Sequence, residues 1–187
     1  ALVAGLAAAG PGRAQGGSDA SILNYALTLE YLQAAFYTEA ERVGALRGIA
    51  ARAAGQIGSV ERAHVAALRD ALGAAAVARP AFDFQDTTAN DDAFLRTAVA
   101  FEDLGAAAYK GQLGQLRSRE YLAAAASIHS VEARHAAWIR YIAGRTPAAD
   151  PVDPPISRSD AERIVASTGF IVSSPATSSE RAPSFTG

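Results

Sequence analysis

Apolar residues recur every three to four positions over four long stretches, and glycine, proline or asparagine separates the stretches. The first is a helix from about Ala20 to Val43, with Ser18 or Asp19 as N-cap and Gly44 as stop. Its inner face reads Leu23, Ala26, Leu27, Glu30, Gln33, Ala34 and Tyr37. The second runs from about Leu46 to Ala74 and turns Ile57, Val60, Glu61, His64, Val65, Leu68 and Leu72 inward. Gly55 and Gly58 lie inside it, where they weaken the helix locally or permit a close contact. The third spans about Asp92 to Leu116 behind an Asn90 or Asp91 cap. The fourth spans about Arg119 to Ala143 and ends at Gly144. No strand is expected between residues 20 and 144.

The links between these helices define a topology. Those joining the first to the second and the third to the fourth are short, so each pair is antiparallel. The middle link, Val77 to Asn90, is roughly fifteen residues and reaches about 50 Å when extended. A helix of about 25 residues is about 38 Å long. The link therefore travels the whole bundle and starts the third helix parallel to the second, with Phe82 and Phe84 expected to pin it to the outside. The predicted fold is all-α, a four-helix bundle over residues 18–144 with a long crossover between helices 2 and 3.

Both flanks differ from the bundle. Residues 1–17 open with an apolar run, Ala1 to Ala9, followed by glycine and other small residues. This reads as the end of a secretory signal and predicts an extracytoplasmic protein: periplasmic, secreted or membrane-associated. A flexible leader without a role is the alternative. The run is too short to span a bilayer. Residues 145–187 form a C-terminal extension. It comprises a proline- and aspartate-rich linker, Thr146 to Pro155, a short helix, Asp160 to Thr168, and a tail from Ser173. Ser159 and Glu162 form a capping box for that helix, and Ile164, Val165, Phe170 and Ile171 are expected to dock it.

The formal net charge is -2, which supplies no basic footprint for nucleic acid. Only 19% of residues are charged, below the ~25% of an average soluble domain, and alanine fills much of the difference. That favours closely packed helices. The absence of cysteine excludes disulfides and thiol chemistry.

The chain repeats itself. Ser59–Arg69 and Ser130–Arg140 both read Ser-Val-Glu-x-x-His-x-Ala-x-x-Arg, and Glu30–Tyr37 and Glu102–Tyr109 both read Glu-x-Leu-x-Ala-Ala-x-Tyr. Glu30 lies 31 residues before Glu61, and Glu102 lies 30 before Glu132. Each copy is thus a helical hairpin with a lone Glu on its first helix and Glu-x-x-His on its second. Residues three apart on a helix share a face, so a carboxylate and an imidazole at that spacing converge on one point as metal ligands do. All six residues, Glu30, Glu61, His64, Glu102, Glu132 and His135, sit near mid-helix and fall in one layer of the bundle. Buried there, the carboxylates repel one another and lose hydration unless cations compensate. Two divalent ions bring the layer near neutrality.

The same motifs resemble the ferritin-like superfamily and look closest to the bacterial and plant desiccation-related ferritin-like proteins, many of them exported. The most specific piece is Leu27-Thr28-Leu29-Glu30-Tyr31-Leu32-Gln33-Ala34-Ala35-Phe36-Tyr37, and the likeness covers about Ser21 to Gly144. The resemblance implies a di-iron or di-manganese site at the six positions, with the metals about 3 to 4 Å apart. Glu61 and Glu132 would bridge, because Glu-x-x-His sets the carboxylate between its own His and the bundle axis. Each His would terminate one metal.

The resemblance also implies oxidase, ferroxidase or manganese-catalase-like activity on O2 or peroxide in stress protection. The alternative is a structural or accessory subunit of a larger extracytoplasmic or membrane-associated complex. Tyr37 and Tyr109 lie two turns after the lone glutamates, on the same faces. They are the candidate catalytic residues, holding ligand carboxylates or handling a radical; core tyrosines with satisfied hydroxyls are the alternative. His129 is expected behind the ligands or at the surface, Trp138 in the core, and Arg69 and Arg140 paired with acidic groups at the surface. A proline-rich linker follows the fourth helix, so no cage built on a fifth helix is expected. The chain is read as a monomer, a small oligomer or a subunit of a mixed complex, with protein partners met through the leader or the C-terminal arm.

Overall fold

The computed structural model describes residues 17–148 and 150–172. The leader is thus described only at residue 17, and the tail from Ser173 lies outside the described residues. Helix α1 covers Gly17–Val43, α2 Gly48–Leu72, α3 Asp91–Leu113, α4 Arg119–Ile142 and the short α5 Arg158–Thr168. The expected order and all-α class hold, although α2 starts two residues later than its pattern implies and α2 and α3 both stop short. A 3-10 turn, Gly73–Ala75, follows α2.

Polar contacts at the helix ends establish the crossover. Asn24, near the start of α1, donates to the carbonyl of Ala75 beyond the end of α2, so these helices are antiparallel. The Arg47 N–H at the start of α2 donates to Asp91 at the start of α3 (3.0 Å), so α2 and α3 start at the same end of the bundle. The link between them runs its full length. Asn90 caps α3, accepting from the Ala93 N–H at 2.9 Å, which leaves Asp91 free for Arg47. Asp19 does not cap α1, and Ser18 also falls inside it. The buried Asp19 carboxylate accepts instead from the N–H groups of Arg117 (3.1 Å) and Ser118 (3.0 Å), closing the α3–α4 turn. Unpaired donors at a helix start need an acceptor, and here a neighbouring helix supplies one.

The link departs from expectation in one respect. Ala81–Phe82 forms a two-residue strand, β1, pairing antiparallel with Ile171–Val172, β2, beyond α5. Pairing this short has no sequence period, so the pattern predicted no strand there. Phe84 goes deeper than pinning requires: it is buried, with its ring 5.5 Å from Phe36 and 5.6 Å from Phe170.

Two apolar clusters fill the bundle, one toward each end. Phe36, Phe94 and Phe101 anchor the larger, and Leu27, Leu68, Tyr121 and Ile128 belong to the other. Val60 and Val65 are only half-buried. In the extension Val165 and Phe170 are buried as expected, whereas Ile164 and Ile171 are exposed. The cap of α5 is Ser157 rather than Ser159: its Oγ accepts from the Asp160 N–H at 3.1 Å. The linker lies against α3, where the Ile156 N–H donates to Ala107 O (3.1 Å) and a Cβ on Gly111 would stand 2.0 Å from Ile156 O. Backbone cannot yield that space. Gly111→Ala is expected to lift the linker and α5 off the bundle at a cost of about 1–3 kcal/mol. Faster tryptic cleavage at Arg158, with amide exchange in α1–α4 unchanged, is the result to look for.

Candidate metal centre

The level between the two apolar clusters is polar and closed. Helix α1 supplies Glu30, Gln33 and Tyr37, spaced to share one face; α3 supplies Glu102 and Tyr109. Helix α2 supplies Glu61 and His64, and α4 Glu132 and His135. All four glutamates are fully buried, and the two histidines nearly so. Close approach of the helices rests partly on glycine. A Cβ on Gly58 would meet Tyr37 Cβ at 2.7 Å, and one on Gly105 would meet Glu132 Oε2 at 2.7 Å. Gly58 therefore marks a close contact; Gly55 has nothing within 4 Å.

Six side chains that the sequence singled out are brought together in two overlapping groups: Glu30, Glu61, His64 and Glu132, and Glu61, Glu102, Glu132 and His135. In each group the ligand atoms lie within 4.8 Å of one another. Glu61 and Glu132 belong to both. His64 Nδ1 is 3.3 Å from Glu30, 3.4 Å from Glu61 and 3.2 Å from Glu132. His135 Nδ1 is 2.8 Å from Glu61 and 3.5 Å from Glu102. Close as they are, these atoms are not aligned as hydrogen bonds. Glu30 Oε2, both oxygens of Glu61, Glu102 Oε2, Glu132 Oε1 and both Nδ1 atoms remain unpartnered.

A native core tolerates few such orphans. Here seven carboxylate and imidazole atoms face common points, as a donor set for divalent cations does. The residues present fit a pair of divalent ions.

A family profile described as a ferritin-like domain matches residues 18–145. The chain belongs to the ferritin-like family. No curated protein sequence matches it. The matched region holds both Glu-x-x-His helices, and the C-terminal extension from residue 146 lies outside it.

Electrostatics at this ferritin-like centre follow from burial. Desolvation lifts Glu30 to about 7, with His64 opposing the rise and Glu61 adding to it. It also raises Glu102 and Glu132. For the imidazoles burial works downward, but the carboxylates overcome it. Glu30 leads in holding His64 far above the usual range, and Glu102 and Glu61 lift His135 to about 10. The side chains alone thus keep protons on both histidines, and a cation must displace them.

Tyr37 donates to Glu102 Oε1 and Tyr109 to Glu30 Oε1, both at 2.6 Å. Each tyrosine thus serves the lone glutamate of the other copy. Burial, reinforced by those glutamates, raises both phenols well above their usual range, so they stay protonated as donors. Tyr37→Phe and Tyr109→Phe are each expected to weaken Mn(II) binding about tenfold to a hundredfold, as loss of a hydrogen bond behind a ligand does. Calorimetric titration reads the change.

Gln33 is a site residue whose role the sequence left unassigned. Its Nε2 donates to Glu132 Oε2 (3.4 Å) and Phe101 O (3.5 Å). Its only signal was a polar inward position one turn after Glu30. His129 is half-buried and belongs to neither ligand group, and its Nδ1 is unpartnered. Trp138 is half-buried rather than fully in the core. Arg140 pairs with Asp103 at 2.8 Å as expected. Arg69 has no acidic partner among the described residues and donates to the Tyr31 hydroxyl (3.0 Å).

Proposed function

We propose that this ferritin-like protein binds two divalent ions, iron or manganese, and oxidises Fe(II) or consumes peroxide in stress protection. One observation carries the reading: two buried ligand groups overlap at Glu61 and Glu132. A pair of such ions supplies a two-electron exchange with O2 or peroxide. Glu61 and Glu132 would serve as the shared carboxylates, Glu30 and Glu102 as the outer ones, and His64 and His135 as end ligands. Tyr37 and Tyr109 orient the outer carboxylates, hold a proton at the site boundary and are the side chains placed to give a further electron. The apolar clusters above and below exclude water, which strengthens every charge interaction between them.

Membership of the desiccation-related group draws support from the Leu27–Tyr37 stretch, and action outside the cytoplasm from the apolar run at residues 1–9. Among the described residues no helix is long and apolar enough to cross a membrane. The accessory-subunit reading draws support from Ile164, Ile171 and Val172, which the C-terminal extension leaves exposed. Contact with a partner through this arm, by a monomer, a small oligomer or a subunit of a mixed assembly, is part of that second reading.

The test loads the protein separately with Fe(II) and Mn(II), counts metal per chain by elemental analysis, and compares it with a Glu30→Ala, Glu102→Ala variant. Wild type is expected to take up two ions, to oxidise Fe(II) faster than buffer, or with manganese to evolve O2 from peroxide. Equal background rates in both proteins overturn the enzyme reading and leave the accessory one.

A further inference from the structure

Internal duplication makes the two halves of the centre comparable position by position, and one pair breaks the match. Gln33 on α1 corresponds to Gly105 on α3. The space that a side chain at 105 would fill is taken by the Gln33 amide and by Glu132 Oε2: a Cβ there would stand 2.7 Å from Glu132 Oε2 and 3.1 Å from Gln33 Nε2. The amide nitrogen must face this way, since both atoms it meets, Glu132 Oε2 and Phe101 O, are acceptors. Glu61, the counterpart of Glu132, receives no such donor, and both of its oxygens are unpartnered.

The consequence shows in where the shared carboxylates point. Glu61 divides itself, with Oε1 2.8 Å from His135 Nδ1 and Oε2 3.4 Å from His64 Nδ1. Glu132 does not. Its Oε1 lies 3.2 Å from His64 Nδ1, while its Oε2 accepts from Gln33. His64 is thus approached by three carboxylates and His135 by two, although Glu132 counts within 4.8 Å of both ligand groups. Nearness to a group is a looser condition than presenting an oxygen to it, and the oxygen positions decide.

Resting on the dimetal reading above, we propose that Gln33 makes the two metal positions unequal. The position at His64 fills first and tightly. The position at His135 is weaker, because Gln33 occupies lone-pair density on the oxygen Glu132 would otherwise turn toward it. Gln33 is a positioning residue, acting through Glu132.

The experiment is an anaerobic Mn(II) titration of the full chain, with free Mn(II) counted by electron paramagnetic resonance. Wild type is expected to bind in two steps at least about tenfold apart. Gln33→Leu removes the donor and keeps the bulk; unlike the tyrosine variants, which loosen a carboxylate already aimed at its own histidine, it frees the Glu132 oxygen turned away from His135, so it is expected to bind two ions with a gap under about threefold by strengthening the weaker step. His135→Ala is expected to retain the tight step, and His64→Ala to lose it. Two ions binding wild type with one affinity overturn the inference and leave the dimetal reading standing. A gap unchanged in Gln33→Leu, or a tight step lost in His135→Ala rather than His64→Ala, overturns it as well. No Mn(II) or Fe(II) bound by wild type overturns the dimetal reading and this inference with it. If Gln33→Leu does not fold, Gln33→Ala, which also removes the donor, takes its place, and a gap that persists in it overturns the inference.

Discussion

Replacing Glu61 and Glu132 together by glutamine should abolish the rise in melting temperature that Fe(II) or Mn(II) produces in the wild-type protein. Both residues belong to both ligand groups, so the substitution damages the two positions at once. A ligand at a hundred times its dissociation constant stabilises the fold by about 2.7 kcal/mol, and at a thousand times by about 4.1 kcal/mol. For a chain of this length each kcal/mol moves the midpoint by about 2–4 °C. Wild type should therefore gain on the order of 10 °C with saturating metal, and the variant close to nothing. Without metal the order should be level or reversed, because glutamine keeps the bulk of two buried carboxyl groups, three of whose four oxygens have no hydrogen-bond partner. A variant that is less stable without metal and still gains the full shift with it would show that the cluster is not the binding site.

The metal-free protein should lose stability as pH rises from about 5 to about 10, against the usual course for a protein with many surface carboxylates. The sign follows from the direction of the shifts. Glu30 has a folded value of about 7, above its ordinary 4.5, so the folded state holds a proton that the unfolded state releases between those values. The stability from this group is complete below 4.5 and gone above about 7. His135, raised from 6.5 to about 10, extends the decline through that second window, and His64 is displaced in the same direction. By these shifts Glu30 accounts for about 3 kcal/mol and His135 for about 5 kcal/mol. Metal reverses the trend, since only deprotonated ligands bind it, so affinity should climb with pH and binding should release protons. Urea denaturation at pH 5, 7 and 9 with chelator present checks the first part. Calorimetry in buffers of different ionisation heat checks the second. A metal-free protein that grows more stable from pH 5 to pH 9 would contradict the assignment.

Much of the fold was legible because the chain states it twice. The frames Ser59–Arg69 and Ser130–Arg140 placed a carboxylate and an imidazole on one face of each helix, and the short-long-short links required the crossover that Arg47 and Asp91 display. What was not legible depends on neighbours remote in sequence. Asp19 looks like a helix cap by composition, but its acceptors are used by residues almost a hundred positions away. Ile164 is as apolar as its neighbour Val165, yet successive residues on a helix point about 100° apart, and only Val165 meets the bundle. Gln33 belonged to the predicted inner face, but its hydrogen bond to Glu132 could not be read from that face alone. It required knowing that Gly105 leaves the space open.

The crossed bonds from Tyr37 to Glu102 and from Tyr109 to Glu30 have the form of an isologous contact: what one hairpin gives, it receives. That reciprocity is the signature of a twofold dimer interface, here contained in a single chain. Neither hairpin completes its own half of the centre, so the segment between α2 and α3 acts as a tether that turns an encounter of two bodies into a folding event of one. Its contribution is effective concentration, and because Phe84 and the β1–β2 pair fix it against the bundle it also holds the two hairpins in register. Cutting it would make assembly of the centre depend on how much protein is present.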